Sequence, residues 1–92
     1  MKQIDPAIVN TRRAIEFLTV WMDQDGVDAP AYIERVLNDP NGPDVRSIIS
    51  GQCNLSMLLV VALAKERGAA TAEELWTKVD EILQELSRSL PE

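Results

Sequence analysis

The densest hydrophobic signal in the chain is residues 57–64, eight consecutive nonpolar positions among 92. At about 100° per residue, such a run wraps a helix completely and leaves no face for water. It is too short to span a bilayer, which takes roughly 20 apolar residues. The helix carrying it is therefore expected to be covered by protein on nearly every side, either as the axis of the fold or with the help of a second copy. On that reading Leu59→Asp abolishes folding, because it buries a charge in the most enclosed turn.

Periodicity elsewhere predicts three more helices. Asp5 and Pro6 read as N-cap and first helical residue of a helix that runs to about Asp25 and stops at Gly26. Its expected inner face is Ile4, Ala7, Ile8, Thr11, Ala14, Ile15, Leu18, Trp21 and Met22. Val9, Phe17 and Val20 fall off that face and form a second stripe flanking Arg13. A short helix follows over residues 29–38, with Asp28 as cap, Pro30 in the first turn, and Tyr32, Ile33, Val36 and Leu37 for docking. Residues 39–43 hold two prolines and Gly42 and read as a turn.

The third helix is expected from about Pro43 and Asp44 to Arg67, with Gly68 just past its end. One face carries Val45, Ile48, Gln52, Leu55, Leu59, Ala62 and Leu63; the opposite face carries Cys53, Met57, Val60, Val61 and Ala64. Ser47, Gly51, Asn54 and Leu58 form a narrow strip between them. Gly51 costs roughly 1 kcal/mol against alanine in a helix interior, so it marks a kink, a break or a close approach of another backbone. The last helix opens with a capping box, Thr71 to Glu74, and Pro91 stops it. Ala72, Leu75, Trp76, Val79, Ile82, Leu83, Leu86 and Leu90 share one face, and acids dominate the rest. The fold class expected is all-α: a compact single four-helix domain over residues 1–92, three helices long and one short, with the third central.

Size and charge restrict the function. A domain of 92 residues buries only about 60–65% of its unfolded surface, so oligomerisation is a common remedy for its marginal core. A formal net charge of -6 disfavours direct binding to nucleic acid or to an anionic membrane. Cys53 is the one cysteine, so no intrachain disulfide is available, and no secretory signal pattern opens the chain. A cytoplasmic location is the expectation.

Candidate chemistry is sparse. Histidine is absent, which removes the commonest general base and metal ligand near neutral pH. Cys53 shares a face with Met57, Val60 and Val61, so it is expected to be a packed, inert thiol. Asp23, Asp25 and Glu34 stand at positions 1, 3 and 12 of a helix–loop–helix calcium count. Val27 and Asp28, however, occupy the places of a ligand and of the turn glycine, and Pro30 starts a helix inside the loop. No cofactor, metal or catalytic residue is expected. Helices two and three make a poor DNA-reading pair, since the third is apolar beyond Arg46.

What remains is association. The surplus apolar positions predict a homodimer built on Val9, Phe17, Val20, Gly51, Asn54, Met57 and Val61. Gln52 is expected to be covered and to bond a loop carbonyl, or else to line a small ligand pocket or fix register at a dimer interface. The function expected is a small non-enzymatic interaction protein, an adaptor or accessory regulator with an unidentified protein partner. Two alternatives are a domain holding a small apolar ligand between helices one, three and four, and an acidic decoy of a nucleic-acid-binding protein.

Overall fold

The computed structural model describes residues 5–23 and 27–91. Among these residues the chain forms four α-helices and no strand: α1 (Pro6–Met22), α2 (Ala29–Asn38), α3 (Val45–Glu66) and α4 (Ala72–Ser89). Three are long and one is short, as the periodicity predicts. Ile4 and the Gly26 stop lie outside the described residues, as does the middle of the calcium-like loop at Gln24, Asp25 and Gly26.

Local hydrogen bonding accounts for the helix ends. The Ala7 amide donates to the Asp5 carboxylate at 2.9 Å, satisfying a free N-terminal donor of α1. That helix ends earlier than the sequence suggests: backbone turns extended at Asp23, whose amide donates to Thr19 and Val20 carbonyls. Asp28 occupies the N-cap position of α2, but its side chain makes no capping bond, because its own backbone is already helical. In the following turn, the Asn41 amide donates to the Asp39 carboxylate at 2.9 Å and the Gly42 amide to the Asp39 carbonyl at 3.0 Å.

The Asp44 carboxylate accepts from the Ser47 amide at 2.7 Å, and this bond holds the Asp44 pKa below its ordinary value. At the other end of α3, Gly68 has φ 97°, the Ala69 amide donates to the Ala64 carbonyl, and the Gly68 amide donates to the Lys65 carbonyl. That pair of bonds is a Schellman motif, which a glycine adopts without a Cβ penalty. The capping box of α4 closes both ways, Glu74 amide to Thr71 Oγ1 at 3.1 Å and Thr71 amide to Glu74 Oε2 at 3.3 Å.

The helices pack as two compact units, Met1–Leu55 and Ser56–Glu92. In the first, Ala14, Phe17, Ala29, Gly51 and Leu55 are buried. The inner seam of α1 runs through Asn10, Ala14 and Phe17, so the helix is rotated by about 100°, one residue's step, from the face expected. Ile8, Ile15, Leu18, Trp21 and Met22 are left exposed. Backbone proximity explains the choice. A Cβ built on Gly51 would fall 2.8 Å from the Asn10 carbonyl carbon and nearer still to its oxygen. Gly51 lets the two main chains meet at Asn10, and the bulky isoleucines of the expected face would hold them apart. Gly51 therefore marks a close approach; α3 runs through it as one continuous helix.

In the second unit, α4 buries Ile82 and the C-terminal part of α3 buries Ala64. Arg67 and Glu85 form an exposed ion pair at 3.0 Å. The run at 57–64 is not enclosed by its own chain. Met57, Leu58, Leu59 and Leu63 are exposed, Leu59 at 53%, and only Ala64, at 0%, is fully covered. One neighbouring helix covers one side of a helix, and this unit supplies only α4. By length and composition α3 is also long and apolar enough to cross a membrane. The eight-residue run understates this, because the serines, Gln52 and Asn54 that extend it are polar but uncharged.

Candidate self-association surface

Among the described residues each unit carries an apolar depression. In the first unit, Phe17, Leu18 and Trp21 of α1, Ile33 of α2, and Ile48 and Gln52 of α3 line a cavity of about 340 Å³. Its floor is organised by Phe17, 7% exposed, which meets Tyr32 edge-on with centroids 5.5 Å apart and planes at 74°. This is a favourable aromatic geometry. Gln52 is the one amide among otherwise hydrocarbon and aromatic walls. In the second unit, Ser56, Met57, Val60 and Val61 of α3 face Trp76, Val79 and Leu83 of α4 across a cavity of about 240 Å³. Trp76, 61% exposed, stands at its rim.

The seven residues expected to form a contact surface divide between the two units. Phe17 and Gly51 are interior: the first completes the aromatic contact with Tyr32, and the second is occupied by Asn10. Val20 and Asn54 are half-buried in the first unit, and Val9 is exposed beside the Ile8–Ile15 ridge. Met57 and Val61 come together in the second unit's cavity. Leu18, Trp21, Ile33 and Ile48 were assigned to inner faces by the wheel, yet they form the walls of an open cavity. A helical wheel ranks positions around one helix and carries no information on how many neighbours will arrive.

Electrostatics add one local feature. The Tyr32 hydroxyl donates to Glu16 Oε2 at 3.3 Å, and Arg35 lies 5.9 Å from the Tyr32 ring centroid. Partial burial raises the Tyr32 pKa, and the Glu16 charge and hydrogen bond raise it further. A raised acid holds its proton longer in the folded state, so the associated stability is present below the unfolded tyrosine pKa and is lost as pH rises through the folded one. Tyr32 is the one tyrosine in the chain, so an alkaline absorbance titration reads it directly. The midpoint is expected above that of the denatured protein and should fall in Glu16→Gln. An unchanged midpoint in that variant would show that the contact does not persist in solution.

The remaining polar groups offer little chemistry. Among the described residues no group of three or more His, Cys, Asp or Glu side chains is placed to hold a metal ion. Cys53 is exposed, not packed, because α3 turns Gly51 and Leu55 towards the rest of the first unit and so directs Cys53 away. Several acids of α4 already have partners: Glu74 in the capping box, Glu81 with Lys78 and Glu85 with Arg67. No protein-family model, curated protein or solved structure matches this chain.

Proposed function

We propose that this protein is a small cytoplasmic interaction module that associates with a second copy of itself and serves as an adaptor or accessory regulator, without catalysing a reaction. The observation that carries the reading is the exposure of large apolar side chains on all three long helices. Ile8, Ile15, Trp21 and Met22 on α1, Ile49, Leu58 and Leu59 on α3, and Trp76, Leu83 and Leu86 on α4 all face outward. Large apolar side chains left exposed together on one helix are characteristic of interaction sites. The absence of histidine supports a binding role over a catalytic one.

Sedimentation equilibrium across micromolar concentrations tests the proposal. The expected mass is twice the 10.2 kDa of the chain. A well-folded protein that sediments at the single-chain mass throughout that range overturns it. A second reading is favoured by the first unit's cavity, whose apolar walls and lone amide suit a small lipophile carrying one hydrogen-bonding group. It lies among α1, α2 and α3. A co-purified lipophile in native mass spectrometry would move the assignment to that reading.

A further inference from the structure

The residues that line the first unit's cavity run from Phe17 to Gln52, so the site is built within one compact unit. α1 and α3 touch where Asn10 meets Gly51. Farther along α1 the two helices stand apart, and the space between them is the cavity. Phe17 and Trp21 on α1, and Ile48 and Gln52 on α3, are each four residues apart, so each helix presents two successive turns to it. Ile33 of α2 adds a third wall. Phe17 is buried and meets Tyr32 edge-on, so the fold itself fixes its ring.

Size, charge and polarity restrict the occupant. An apolar cavity of about 150 Å³ takes one benzene ring, so about 340 Å³ accommodates two fused rings. A space of that volume is roughly 9 Å across if round, narrower than a helix with its side chains at about 10–12 Å, so a helix of a second copy does not fit. No acid or base is among the lining residues, and the formal net charge of -6 repels anions, which favours a neutral molecule. Gln52 is half-buried and brings one amide that both donates and accepts. A pure hydrocarbon laid over that amide would take its water away and return no partner. Phe17 and Trp21 reward an aromatic ring beyond the area it buries.

We propose that this cavity binds a neutral, planar, two-ring aromatic molecule bearing one hydroxyl or amide group, with that group hydrogen-bonded to Gln52. This narrows the second reading given above to a ligand class and rests on it.

Proton–nitrogen correlation NMR of the unmodified protein tests the proposal, with β-naphthol as the probe. The Gln52 side-chain amide and the Trp21 indole N–H report on the cavity, and the Trp76 indole N–H reports on the other unit. Saturable shifts of the first two signals are expected, with the Trp76 signal unmoved. Decahydro-β-naphthol, the saturated analogue, is expected to bind about three- to tenfold more weakly, the factor that one aromatic pair contributes. β-Naphthoate, an anion on the same ring system, is expected to bind at least about tenfold more weakly. Gln52→Met, close to glutamine in shape, should lower β-naphthol affinity about five- to tenfold.

Equal binding of the saturated alcohol overturns the aromatic class, and equal binding of the anion overturns the neutral one; a small-lipophile site stands in both cases. An unchanged affinity in a folded Gln52→Met protein removes the amide from recognition and overturns the proposal. Equal movement of the Trp76 signal marks adsorption to exposed apolar surface and overturns it too. If none of the three compounds moves the Gln52 and Trp21 signals, the second reading fails together with the proposal. Shifts of those signals on concentrating the protein alone, which β-naphthol does not reverse, assign the cavity to a second copy and overturn it as well.

Discussion

Leu59→Asp is expected to leave the chain helical and to abolish dimer formation. Leu59 is half exposed, so an aspartate there keeps much of its hydration in the isolated chain. In a dimer that covers this stretch of α3 the same carboxylate would be buried, and each dimer would bury two such charges. An unpaired charge in an interface costs about 3–5 kcal/mol, which weakens a micromolar dimer beyond detection. The informative control is Ala64→Asp, because Ala64 is fully covered and an aspartate there is buried whether or not the chain self-associates. Circular dichroism with sedimentation separates the two. Loss of helicity in Leu59→Asp to the level of Ala64→Asp would restore the view that this turn is internal to one chain.

Gly51→Ala is expected to destabilise the first unit by about 1–3 kcal/mol, the usual cost of overpacking. Helix propensity alone predicts the opposite, a gain of roughly 1 kcal/mol for alanine over glycine. The added methyl would collide with the main chain of Asn10, and backbone yields less readily than a side chain. Ser50→Ala, at an exposed neighbouring position of α3, removes the contact from the comparison while keeping the helix. Urea unfolding midpoints decide the sign, and a higher midpoint for Gly51→Ala than for the parent would mean that α1 and α3 do not approach at this point.

These variants show where a sequence pattern stops being informative. Gly51 stands out on the chain as a costly residue with three possible causes, and only the position of Asn10 selects one. The stripe containing Phe17 is visible on the wheel, but the role of Phe17 reverses: it points inward on Tyr32, while Val9 and the broader isoleucine face stay exposed. The signal available in advance is Gly51 itself, a glycine inside an apolar helix. Hydrophobic counting ranks such positions low even though they permit the nearest helix approach.

Helix number, type and most boundaries belong to the sequence, because they rest on interactions within a few residues. The Asp5 and Asp44 caps, the Thr71–Glu74 box, the Gly68 terminus and the 39–42 turn each close over six residues or fewer. Which face of each helix is inside is a different kind of question, since it depends on what other elements are near enough to cover it. The tertiary structure decided that Phe17 and Gly51 are interior, that Cys53 is not, and that the apolar run at 57–64 is covered along one side only. An amphipathic pattern states how much surface must be removed from water; the neighbours that remove it are set by packing between segments distant in sequence.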